Sequence, residues 1–117
     1  MDIFVTQRTL TSELEQALWQ ILAQKGALAK LDADLKARQT DVDRIVNDQN
    51  RLRENMKALK GTQEEKALTQ RYTNELDDQE TQLAAMRKEI SSLEAKRNQA
   101  QQELNATIEH LSFNTTM

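Results

Sequence analysis

The stretch that decides the fold is Lys57-Ala58-Leu59-Lys60-Gly61-Thr62-Gln63-Glu64-Glu65. Gly61 is one of two glycines in 117 residues, and the chain has no proline. Glycine suits the left-handed position just past a helix end. Thr62 followed three residues later by Glu65 is a capping box. The threonine hydroxyl accepts from the Glu65 amide, and the Glu65 carboxylate reaches back to the Thr62 amide. Lys57 and Lys60 precede the break and Glu64 and Glu65 follow it. Each pair complements the dipole of its own helix. One helix therefore ends near 60 and another opens near 63, with a turn at 60–62.

Upstream, Thr11 can cap a helix whose first turn carries Glu13 and Glu15. This gives one helix over about 12–60 and a second over about 63–111, each ~73 Å long at ~1.5 Å per residue. Apolar residues recur along both at alternating three- and four-residue steps, the pattern of a coiled-coil seam. In the first helix the seam includes Leu14, Leu18, Ile21, Leu28, Leu31, Leu35, Val42, Ile45, Leu52 and Met56. In the second it includes Leu68, Tyr72, Leu76, Leu83, Met86, Ile90, Leu93, Leu104, Ile108 and Leu111. When the chain is folded at Gly61, the residue numbers of facing seam positions add to 124 or 125 from Leu52 and Tyr72 out to Leu14 and Leu111. One register thus matches both seams over their length. The fold class read from this is all-α, an antiparallel two-helix coiled-coil hairpin able to pair with a second copy into a bundle. Its organisation is a short extended lead-in at 1–10, one hairpin over 11–112 and a disordered tail at 113–117.

The same register brings Lys36 near Glu89, Arg44 near Glu80 and Arg51 near Glu75. Exposed pairs of this kind contribute only ~0–1 kcal/mol each. The seam carries polar residues at Lys25, Arg38, Gln49, Gln79 and Arg97. Long side chains there lay their stems over apolar neighbours. The steps Lys25-Leu28-Leu31 and Leu68-Tyr72-Leu76 depart from the strict heptad, which predicts a local change of supercoil. Gly26 lies in a helix interior, either as a tolerated defect or at a close crossing or bend.

Composition narrows the chemistry. Without cysteine there is no disulfide scaffold, cysteine-based zinc site or cysteine nucleophile. Four aromatics and almost no turn residues argue against a sandwich, a barrel or an α/β domain. No apolar run reaches the ~18 residues of a membrane span. Asp2 follows Met1 with no basic or apolar leader after it, so no signal peptide is expected. His110 is the only histidine and sits in the last turn of the second helix, where a cation meets the dipole favourably. Asp41 and Asp43 begin like a calcium loop, but Val46 stands where that loop requires glycine. Asp77 and Asp78 read as a solvated acidic face. The four serines have no base partner apart from His110, and there is no glycine-rich phosphate loop. Neither a catalytic residue nor a metal or cofactor site is expected. Asn105 and Asn114 each begin a glycosylation sequon, which would stand idle in a bacterial protein.

Two surfaces have a functional look. A hairpin buries one stripe per helix, and apolar residues exceed that need at its open end. Trp19, Leu22, Ile108, Leu111 and Phe113 form a candidate docking surface there, for a second copy or for the body of a larger protein. The other is the turn, with Gly61, Thr62 and Glu65 at its tip. Residues 51–71 carry six basic side chains against three acidic ones, while the whole chain has a net charge of −3. Long cationic arms could neutralise phosphates, although Tyr72 is the only aromatic near the tip.

Residues 47–94 contain Asn47-Asp-Gln-Asn-Arg-Leu-Arg-Glu-Asn-Met-Lys-Ala-Leu59, Glu64-Glu-Lys-Ala-Leu-Thr-Gln-Arg-Tyr72, Leu76-Asp-Asp-Gln-Glu80 and Leu83-Ala-Ala-Met-Arg-Lys-Glu-Ile90. This region resembles the coiled-coil region of a bacterial family of unknown function related to the mucoidy-inhibitor-A-like proteins. Ile3-Phe4-Val5 and Gln7-Arg8-Thr9-Leu10 resemble the point where such proteins leave a β-rich body for the helices. The resemblance implies a segment of a larger, exported bacterial protein and transfers no catalytic or binding residue. The functional expectation is a non-enzymatic structural and protein-interaction module: a rigid spacer, favouring a homodimer or docked on its parent body. The alternative is a nucleic-acid-contacting arm working through the basic tip.

Overall fold

The computed structural model describes the backbone of residues 2–116 and the side chains of residues 12–112. It contains two helices, α1 (Asp2–Lys57) and α2 (Gln63–Thr116), and no strand among the described residues. The five residues 58–62 between them leave room only for an antiparallel return, so the fold is the expected helical hairpin. Both outer boundaries differ from expectation. The stretch before 11, read as an extended lead-in, is helical from Asp2. The tail, read as disordered from 113, is helical to Thr116. No glycine or proline intervenes in either stretch. Extending a formed helix costs little, and β-branched residues such as Ile3 and Val5 disfavour it by only tenths of a kcal/mol each.

The turn is built as the capping residues dictate. The Ala58 N–H donates to the Asn55 carbonyl at 3.3 Å and the Leu59 N–H to that of Met56 at 3.1 Å. These three-residue spacings tighten the chain out of α1, which ends at Lys57 rather than near 60. Gly61 then takes φ 84°, in the left-handed region. Thr62 caps α2: its hydroxyl accepts from the Glu65 N–H at 3.2 Å, and its carbonyl accepts the Lys66 N–H at 2.8 Å. The Glu65 carboxylate reaches back beyond Thr62 and accepts the Lys60 N–H. Glu64 and Glu65 lie in the first turn of α2, where the dipole favours them.

The chain forms two compact units, and each helix contributes to both. The first comprises residues 34–93 around the turn. Its core is Leu35, Ile45, Leu52 and Leu83, with Leu52 fully buried and Leu83 2% exposed. Full burial of a leucine stabilises by about 1.5–3 kcal/mol. On α1, Leu35, Arg38, Val42, Ile45, Gln49, Leu52 and Met56 are covered and follow one another at alternating three- and four-residue steps without a break. On α2, Leu68 and Thr69 are both half-buried. Thr69 fills the heptad position before Tyr72, so the expected four-four step is replaced by a regular one. A polar layer crosses this unit. The Gln49 amide, 3% exposed, donates to Glu80 at 3.0 Å, and the Gln79 amide donates to Asp48 at 2.6 Å.

The second unit comprises residues up to 33 together with those from 94 onward. Leu104 is its one buried apolar residue among the described side chains. Ala17, Ile21, Gln24, Leu28 and Leu31 are half-covered on α1, as are Arg97, Ala100, Thr107 and Leu111 on α2. Three seam assignments are thereby corrected, the first being Ala17 in place of Leu18. Gln24, not Lys25, faces inward, and Thr107, not Ile108. The heptad runs on through these places, so the break expected at Lys25-Leu28-Leu31 is absent. The Gln24 carbonyl oxygen is buried without a hydrogen-bond partner. A methyl group added at Gly26 would meet nothing within 4 Å, so no close helix contact requires the glycine.

The ion pairs also differ from the expected cross-helix set. Arg44 bonds Asp41 at 2.7 Å and Arg51 bonds Asp48 at 2.9 Å, each within α1. Partners three residues apart on one helix are already neighbours, so pairing them orders less chain than reaching across. Among the described residues the cross-helix ion pair that forms is Arg97 with Asp32, at 2.6 Å.

Candidate docking surface

In an antiparallel pair the helices are related by a two-fold axis perpendicular to both. Residues one step past a seam position therefore fall on the same side of each helix. In the second unit this places Leu18, one step past Ala17, beside Ile108, one step past Thr107. Leu22 continues the α1 stripe one turn beyond Leu18, and Trp19 adjoins both. Trp19 is 63% exposed, Leu22 59%, Leu18 53%, and Leu14 and Ile108 39% each. Large exposed side chains grouped on one face are a mark of an interaction site.

Of the five residues expected to form this surface, Trp19, Leu22 and Ile108 are exposed. Leu111 is half-buried in the seam, and the side chain of Phe113 lies outside the described residues. Leu18, expected in the seam from its apolar character, is instead one of the more exposed members of the face. Continuing the alternation of four- and three-residue steps back from Leu28 identifies the inner face, because it passes through Gln24, Ile21 and Ala17 and leaves Leu18 outside.

The turn surface carries less. Gly61 and Thr62 serve the backbone, as described above. The Glu65 carboxyl is held below its ordinary value chiefly by the Lys60 amide, then by the Thr62 hydroxyl, with the Thr62 amide adding least. Of the basic residues near the tip, Arg51, Lys57 and Arg71 are tied to Asp48, Glu54 and Glu75 of their own helices. Arg53, Lys60 and Lys66 are exposed.

A groove of about 520 Å³ lies beside the polar layer, lined by Arg44, Ile45, Asn47, Asp48, Arg51 and Gln79. The Arg51 guanidinium, and after it the Gln79 amide, hold the Asp48 carboxyl below its ordinary value. Both arginines of the groove are engaged by aspartates, and its lining contains no serine, threonine, cysteine, lysine or histidine. Among the described residues no three acidic, histidine or cysteine side chains converge to hold a metal ion. No described helix is long and apolar enough to cross a membrane. Family models, curated proteins and solved structures were each compared with this chain, and none matches it.

Proposed function

We propose that this chain is a non-enzymatic structural and interaction module, a stiff coiled-coil arm that docks through the apolar face of its second unit. The observation that carries this reading is the pairing of an unbroken heptad seam on α1 with an exposed Trp19, Leu22 and Leu18 cluster beside it. The seam explains why the helices stay together, and the cluster is surplus to it. The partner is a second copy or the body of a parent protein. The parent proposed is a member of the bacterial family of unknown function, related to the mucoidy-inhibitor-A-like proteins, that residues 47–94 resemble. The alternative, an arm that contacts nucleic acid through residues 51–71, has weaker support, because three of its six cations already have carboxylate partners.

Stiffness can be measured directly. The chain has no cysteine, so Lys30→Cys with Arg53→Cys places two spin labels on exposed positions of α1 without background. With the labelled chain diluted into an excess of unlabelled chain, so that only distances within one copy are read, electron–electron distance measurements should give one narrow peak near ~35 Å, the rise of 23 helical residues. A broad or divided distribution would overturn the spacer reading.

A further inference from the structure

We infer that the docked partner is a second copy of this chain, paired antiparallel through α1. This rests on the docking reading above and names its occupant. Glu15, Leu18, Leu22 and Lys25 follow one another on α1 at steps of three, four and three, and all four are exposed. They form a second, shorter seam beside the buried one. Its order is symmetric in shape and opposite in charge about its centre. Laid antiparallel on itself, with the numbers of facing residues adding to 40, Leu18 meets the partner's Leu22 and Glu15 meets the partner's Lys25, each twice. Neither Glu15 nor Lys25 makes an ion pair among the described residues, so both are available. A parallel pairing would set Glu15 against the partner's Glu15 and Lys25 against the partner's Lys25, which is repulsive.

The pairing also gives Trp19 a place. A helical side chain leans toward its own N-terminus. In the antiparallel dimer this carries the indole toward the partner's Leu22 and Gly26. Gly26 has no side chain and open space around it, so it leaves room for the ring. The contact is small, two leucines and one tryptophan from each copy, and corresponds to a dissociation constant in roughly the micromolar range.

The test is sedimentation velocity at low salt on the full chain, across a concentration series spanning roughly that range, with helix content followed by circular dichroism. The single tryptophan reports burial as a blue shift with concentration. Glu15→Lys and Lys25→Glu should each weaken the dimer about tenfold, because each turns two attractive contacts into two repulsive ones. The doubly swapped chain should return to within about twofold of the original. In a separate arm, Glu15→Cys chains mixed with Lys25→Cys chains should form an intermolecular disulfide that neither forms alone. A fully helical chain that stays monomeric throughout would overturn the second copy and leave the arm reading intact. A dimer indifferent to both charge changes, or one cross-linked through Glu15→Cys alone, would overturn the antiparallel register. Loss of helix in the unsubstituted chain would overturn the arm reading itself.

Discussion

Replacing Gln24 with leucine should stabilise the hairpin, and the size of the effect follows from where its amide sits. The Gln24 carbonyl oxygen is buried in the seam of the second unit and accepts no hydrogen bond. An orphaned buried polar group of this kind costs about 1–3 kcal/mol. Leucine removes that cost and adds apolar surface at a half-covered position, worth up to ~1 kcal/mol more. Leucine is also at least as good a helix former as glutamine. A net gain of about 1–4 kcal/mol is expected, which for a chain of this size raises the melting temperature by about 4–15 °C. The assay is thermal unfolding followed by circular dichroism, at a concentration where the chain is monomeric. Lys25→Leu provides the comparison. Lys25 is exposed, so a leucine there gains nothing in the monomer. If Gln24→Leu leaves the melting temperature unchanged or lowers it, the seam assignment is wrong. The same holds if Lys25→Leu raises it equally.

Two further predictions concern the glycines and acid. Gly61→Ala should destabilise by about 1 kcal/mol through backbone strain alone, since φ is 84° and nothing lies within 4 Å of the added methyl. Gly26→Ala, in an open helix interior, should instead stabilise the monomer by about 0.5–1 kcal/mol, and opposite shifts in urea midpoint would establish the pair. The Glu65 carboxyl titrates below its reference of 4.5 in the folded chain, so its contribution is complete above that pH and is lost as pH falls through the lowered folded value. Urea midpoints of the unsubstituted chain and Glu65→Gln should therefore differ near neutrality and converge in acid. Parallel pH profiles would refute a role for this carboxylate in the cap.

The hairpin was legible because its turn is chemically distinct. Gly61, Thr62 and Glu65 announce a helix stop and a helix start within five residues, and the pairing arithmetic then sets the register. What was illegible was the phase of the seam wherever a polar residue holds it. Gln24, Thr69 and Thr107 all sit inward while an apolar neighbour offers itself in the sequence. Reading apolar identity as burial assigned Lys25 by spacing from Ile21 and Leu28, and placed Ile108 and Leu18 inside. Here only the strict alternation of steps, carried past the polar residues, identifies the inner face. The outer helix ends were missed for another reason. Ile3-Phe4-Val5 favours an extended chain weakly, and a helix already formed passes through such residues at little cost. Of the docking surface, the sequence revealed the surplus of apolar side chains but not their arrangement, because that depends on the phase.

The capped turn also sets an order for assembly. Closing a loop costs entropy that rises with its length. Met56 and Leu68 close a short span of chain around Gly61, whereas Ile21 and Leu104 close nearly the whole molecule. Once the Thr62 cap holds the two strands of the hairpin together, each layer outward adds a loop of only a few residues to one already shut. Folding should then run as a zipper from the turn, with local contacts first, which is the fast regime for helical chains. Unfolding would begin at the opposite end, and the side chains of Trp19 and Leu22 would be among the last to find their places and the first to leave them.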